Sequence, residues 1–182
     1  QEDAGSDARV LQGALAEAGS MAVPSKSCLP YLLKSENPHI LNISPPLDMN
    51  PDWFSGHVAY SMAKFGMSLC VLGMAAEFKD DGVAVNALWP RTAIATAAVK
   101  NVLGGEQLVN ISRGPEIMAD AAYVILNKPS KEFSGNFCID DTLLAENGVS
   151  DFSVYADVPF DQLAPDFFVP EDMPPPEAAK KS

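Results

Sequence analysis

Positive charge is what this sequence has least of. Twelve lysines and arginines stand against 24 aspartates and glutamates, for a formal net charge of -12. Without a basic patch or basic residues interleaved with aromatics there is nothing to neutralise phosphates, so nucleic acid is not an expected partner. Cysteine is scarce too. Cys28, Cys70 and Cys138 are odd in number, far apart and set among apolar residues, which reads as reduced core cysteines of an intracellular protein and excludes a disulfide framework or a thiolate metal site. Apolar runs are short: none is expected to cross a bilayer. The first residues are acidic and rich in Ala and Gly, where a secretory signal would be basic and then apolar. Accordingly Asn42 and Asn110, each followed two residues later by Ser, read as ordinary polar residues. Lys181-Ser182 does not complete a peroxisomal tripeptide.

What is present suits one domain with a sizeable core: 182 residues, of which 47% are apolar. Residues 1–20 read as a weakly anchored arm. From Val158 the composition shifts to Pro, Asp, Glu and Phe, which reads as an extended acidic linker or tail over 158–182. Between them lies a regular alternation. His39 to Ser44 (HILNIS) is a short apolar strand. Gly56 to Asp80 has Met62, Phe65, Leu69, Leu72 and Ala76 at spacings of three and four, which predicts a helix packing that face on a core. Lys79-Asp80-Asp81-Gly82 stops it with a glycine. Val83 to Leu88 is a second strand, and a parallel connection through a helix places it beside the first. Pro115 to Leu126 carries Ile117, Met118, Ala121, Ala122 and Ile125 at helical spacing, and Ser134 to Asp140 is a last strand.

On the central helix Tyr60 and Lys64 are four apart and so share a face. A cation beside a phenol favours the phenolate, which suits the pair to passing a proton. An exposed pair on a solvated face has the same spacing, so the residues alone leave both readings open. The surrounding segments decide between them. A strand HILNISPPL, an aromatic-rich loop, a helix with YSMAKFGMS, and a strand leading into NALWPRTAIATAA together resemble the short-chain dehydrogenase/reductase family over roughly residues 21 to 140.

The resemblance implies an α/β fold, the C-terminal portion of a Rossmann-type parallel sheet with flanking helices. It also implies hydride transfer between NADP(H) or NAD(H) and a hydroxyl or carbonyl of a lipid-like substrate. Tyr60 is then the general acid/base, and Lys64 its cationic neighbour and the ligand of the nicotinamide ribose. Ser44 is the candidate partner of the substrate carbonyl, because the family's second strand-end serine is here Pro45; the alternative is a strand-end serine satisfied by nearby backbone. Pro90, Thr92 and Ile94 occupy the segment that meets the nicotinamide amide, with Arg91 in place of the usual Gly. Glu17 stands where a relay Asn is usual. Trp53 and Phe54 read either as one wall of a substrate pocket or as loop packing. Residues Ala93 to Leu103 correspond to a short helix over the substrate. The resemblance also implies a peroxisomal or mitochondrial compartment and pairing of the 56–80 helix across a subunit interface.

One element of the family is missing from the residues. A dinucleotide fold opens with a strand, a Gly-rich turn and a helix that holds the pyrophosphate. Gly13, Gly19, Gly104 and Gly105 have neither the spacing nor the flanking elements. The expectation is therefore an edge at strand 40–44 without its usual neighbour, weak affinity for dinucleotide, and either a chain with little turnover or one that acts through binding.

Overall fold

The computed structural model describes residues 24–181. The arm 1–20 and Glu17 lie outside the described residues. The described chain opens in helix α1 (24–32) and continues as β1 (His39–Ile43), α2 (Val58–Glu77), β2 (Ala84–Trp89), α3 (Gly105–Val109), α4 (Glu116–Asn127), β3 (Phe137–Ile139) and α5 (Asp140–Glu146). The three strands form one parallel sheet in the order β1-β2-β3. As the topology rule requires, β2 lies beside β1, and among the described residues β1 has a sheet neighbour on one side only. This is the α/β, Rossmann-type architecture that the sequence predicts.

The chain divides into two compact units, 1–87 with 128–137, and 88–127 with 138–182. In the first, α2 packs against β1, and Val71, Phe78, Val83, Val85 and Ala87 form a buried cluster with Leu29, Leu32, Ile40 and Phe137 against it. The buried side of α2 differs from the expected one. Ser61, Ala63, Phe65, Ser68 and Val71 are buried, whereas Met62, Leu69 and Leu72 are about half exposed. A helix apolar nearly all round gives periodicity no single face to choose, and the two serines can be buried because each has a backbone acceptor. Ser61 Oγ donates to Trp53 O, and Ser68 Oγ donates to Pro45 O at 2.7 Å and to Lys64 O at 3.2 Å. By length and composition α2 is also apolar enough to cross a membrane, which corrects the expectation that no stretch is. Its packing on β1 marks it as the core helix of an α/β layer.

The Ser-Gly-Asn entry to β3 works through side chains. Asn86 on β2, fully buried, accepts from Asn136 N at 3.0 Å and from Asn136 Nδ2 at 2.9 Å, and donates to Phe133 O at 2.8 Å. Ser134 Oγ accepts from Val85 N at 3.0 Å. After α2, Gly82 takes φ +70°, the left-handed conformation that a glycine adopts without Cβ strain.

In the second unit α4 packs on α5, burying Ile117, Ala121 and Ile125 on the expected stripe. The last predicted strand is shorter than expected, because Asp140 and Asp141 open α5 rather than close β3; carboxylates in a first turn favour a helix start. Residues 99–103 form a π-type turn closed by Gly104 N to Val99 O at 3.1 Å, preceded by two helical residues, in place of one continuous helix. The acidic, Pro-rich stretch from 158 is packed, with Phe168 and Ala179 fully buried and Leu163 nearly so. Among the cysteines only Cys138 is buried. Cys70 is partly exposed and Cys28 exposed, and none of the three is in a disulfide.

Candidate active site

In the first unit the end of β1 is fastened to the middle of α2. Ser44 follows β1 directly. Its neighbour Pro45 accepts the Ser68 hydrogen bond from α2, and the loop after it is pinned by its own contacts. Asp48 Oδ2 accepts from Trp53 Nε1 at 2.7 Å, and the Phe54 ring stacks on Phe65 of α2 with centroids 5.2 Å apart. Trp53 and Phe54 thus take part in loop packing, the second of the two readings left open. This anchored loop precedes the first turns of α2, where Tyr60 is 46% exposed. The predicted pairing holds: Lys64 Nζ lies 5.9 Å from the centre of the Tyr60 ring.

Ser44 is fully buried, and its hydroxyl has no hydrogen-bond partner among the described residues. The reading of a strand-end serine satisfied by backbone does not fit that. Asn42, two residues earlier and hence on the same side of the strand, is also fully buried with both amide atoms unpartnered among the described residues. Sequence reasoning passed over Asn42. The available signal was an amide at a core-facing position of an otherwise apolar strand, because buried polar groups normally have partners.

In the second unit Pro90, Thr92 and Ile94 are all buried. Thr92 bridges antiparallel to Pro165 and Ile94 parallel to Arg113. The Thr92 hydroxyl is buried without a partner among the described residues. Arg91, between Pro90 and Thr92, enters a buried ion cluster that the sequence did not reveal. Its Nε lies 2.7 Å from both carboxylate oxygens of Asp141, and Nη2 donates to Thr142 Oγ1 at 2.8 Å. Arg113 Nη1 reaches Asp141 at 3.3 Å, with its guanidinium over the rings of Phe152 and Phe160 at 5.6 Å each. Asp140 Oδ1 accepts from Arg91 N at 3.0 Å and from Asp141 N at 2.7 Å. Burial foremost, and the neighbouring Asp141 charge, push the Asp140 carboxyl up to about 7. Nearby, Tyr155 OH donates to Asp120 at 2.7 Å, and burial first, then that bond, raises the phenol to about 12.

Each unit by itself holds a buried, unsatisfied hydroxyl of the kind that a carbonyl or the carboxamide of a nicotinamide dinucleotide would engage, Ser44 in the first and Thr92 in the second. The pyrophosphate end does not fit. Among the described residues no strand leads through a Gly-rich turn into a helix, and the strand that runs straight into a helix, β3 into α5, places Asp140 and Asp141 where an anion would bind. Among these residues there is also no group of His, Cys, Asp and Glu able to hold a metal ion.

Known proteins resemble this chain in sequence and fold. Hydroxysteroid dehydrogenase-like protein 2 of Danio rerio is 57% identical over 152 residues, 82% of this chain and 36% of that protein. The Homo sapiens protein of that name is 56% identical over 157 residues, 86% of this chain and 36% of its own length. Among solved structures, a putative dehydrogenase from Xanthomonas campestris superposes with a TM-score of 0.79 at 49% identity, covering 85% of this chain and 56% of that one. The chain belongs to the short-chain dehydrogenase/reductase family. A short-chain dehydrogenase of Mycobacterium thermoresistibile agrees, with a TM-score of 0.73 and 50% identity over 83% of this chain and 53% of that one. No family model matches. The chain spans about a third of the length of the curated relatives it matches.

Proposed function

We propose that this chain carries the proton-handling part of a dehydrogenase that interconverts a hydroxyl and a carbonyl on a lipid-like substrate with NADP(H) or NAD(H). The observation that carries this reading is the Tyr60–Lys64 pair at the head of α2 together with the unsatisfied, fully buried hydroxyl of Ser44 at the end of β1. In this role Tyr60 gives its proton to the carbonyl oxygen as that oxygen becomes a hydroxyl, and takes it back in the reverse direction. Lys64, one turn on, places a positive charge beside the phenol and holds the ribose hydroxyls. Ser44 orients the carbonyl by a hydrogen bond. Thr92, flanked by Pro90 and Ile94, meets the nicotinamide amide. When bound, the nicotinamide supplies or accepts the hydride.

Without a phosphate cradle among the described residues, the chain by itself has weak dinucleotide affinity and little or no turnover. Titration with NADPH and NADH followed by calorimetry is expected to show no saturation at micromolar concentrations, with carbonyl reduction at background. Micromolar binding would refute the weak affinity. Turnover that disappears in Tyr60→Phe would refute the inactivity while upholding the assigned acid/base.

A second reading has its own observation. Val58, Met62, Leu69 and Leu72 leave an apolar stripe of α2 uncovered, and self-association through this helix would bury it. Light scattering coupled to size-exclusion chromatography is expected to show a dimer that Leu69→Lys returns to monomer. A wild-type monomer at high micromolar concentration excludes this reading.

A further inference from the structure

The turn that enters the proposed nicotinamide-facing segment differs from the family pattern at one residue. Arg91 stands where the resemblance expects glycine, and it is nearly fully buried. Its guanidinium spreads into a fork. Besides Asp141 and Thr142 it reaches the chain near the C-terminus, with Nη1 donating to Met173 O at 2.7 Å and Nη2 lying 3.5 Å from Pro174 O. The backbone around it pairs with the same stretch. Arg91 O accepts from Asp166 N at 2.9 Å, and Ala93 N donates to Ala164 O at 2.9 Å. One residue upstream of Pro90, Trp89 Nε1 donates to Phe167 O at 2.7 Å, and the Trp89 and Phe168 rings meet at 6.1 Å. Residues 164–174 therefore lie along 89–93 as a strap, held by two main-chain bonds, one indole and one arginine.

From this geometry we infer that Arg91 is a positioning residue: it clamps the C-terminal strap against residues 91–93 and so fixes the backbone that presents Thr92 and Ile94. The inference rests on the reading of Thr92 and Ile94 as the nicotinamide-facing pair only for its functional meaning. The clamp itself stands on the contacts above. A glycine at this position has no side chain to hold a strap. A planar fork can satisfy a carboxylate, a hydroxyl and a carbonyl at once, whereas a lysine ammonium is a point donor. An acidic, Pro-rich stretch with little regular structure gains its order from this clamp and from the burial of Phe168.

The test uses the full chain in a Trp53→Phe background, which leaves Trp89 as its only tryptophan. Arg91→Met is expected to raise amide hydrogen exchange about 100-fold at Ala93, at Asp166 and at Ala95, whose N donates to Arg113 O beside the clamp, to shift Trp89 emission to the red, and to leave unchanged the amides of Ala87 and Gly135, which donate to Asn136 O and Val85 O in the first unit. Arg91→Lys is expected to give an intermediate effect of about tenfold at the same three amides. If Arg91→Met does not fold, Arg91→Lys decides alone. A selective rise at these amides with a red shift supports the clamp, while wild-type exchange and emission, or a uniform rise along the chain, overturns it. Neither readout uses a cofactor, so failure of the dinucleotide titration and failure of the clamp are separate results.

Discussion

Replacing Asp141 with alanine is expected to destabilise the second unit by about 3–5 kcal/mol, the scale seen when one partner of a buried ion pair is removed. The size follows from what stays behind. Asp141 is fully buried and is the carboxylate to which both Arg91 and Arg113 turn. Arg113 Nε and Nη2 are already without hydrogen-bond partners among the described residues, so its charge is balanced by Asp141 and by the faces of Phe152 and Phe160. Without this carboxylate two buried guanidinium groups lose the charge they share and are left with Asp140, whose carboxyl burial pushes up to about 7. Asp141→Asn keeps the shape but removes the charge, and should fall between the two. Urea unfolding followed by near-ultraviolet circular dichroism checks this. The expected result is a lower midpoint with unchanged slope, the mark of lost stability rather than of a more compact denatured state. An alanine variant within about 1 kcal/mol of wild type, the worth of an exposed pair, would mean that water reaches these charges.

Much of the fold can be read from local pattern, and the exceptions share a physical cause. The helix 58–77, the strands on either side of it and the stop at Gly82 follow from period, apolar runs and turn chemistry, each fixed within a few residues. The buried face of α2 does not, because Met62, Leu69 and Leu72 are as apolar as the residues that are buried. The buried face carries Ser61 and Ser68, and the acceptors that satisfy them, Trp53 O and Pro45 O, lie 8 and 23 residues away. The same holds at the site. Tyr60 and Lys64 are legible because a helix brings positions four apart together. Arg91 was visible only as a departure from a family pattern, since its partner Asp141 is 50 residues distant. The stretch from 158 reads as a linker because prolines and carboxylates dominate it, yet the buried ring of Phe168, tilted against Phe167 and Trp89, and the Arg91 fork on Met173 O seat it. Composition averages over the residue that matters.

Asp140 sets a pH dependence of unusual sign. A carboxylate in an ordinary ion pair is held below its unfolded value and stabilises the fold as pH rises; Asp140 does the reverse. Its carboxyl goes from 3.8 to about 7, with burial the largest cause and the Asp141 charge the next, against the lowering effects of the Arg91 and Asp141 amides and of Arg113. Between those two values the folded chain keeps a proton that the unfolded chain has lost, so the stability contributed by Asp140 is complete below about pH 4 and falls away as pH rises towards 7. A shift of this size corresponds to on the order of 4 kcal/mol as an upper bound. Asp151 and Glu177, both exposed, are held low by Ser153 and Lys180 and act in the opposite direction. The difference between wild type and Asp140→Asn cancels them. Asparagine keeps the oxygen that accepts from Arg91 N and Asp141 N and cannot ionise. The variant is therefore expected to be the less stable protein at pH 4.5 and the more stable one at pH 8, with the two denaturation midpoints crossing between. Parallel midpoints across that range would show that Asp140 is ionised throughout, leaving the two aspartates and two arginines as an evenly balanced buried quartet.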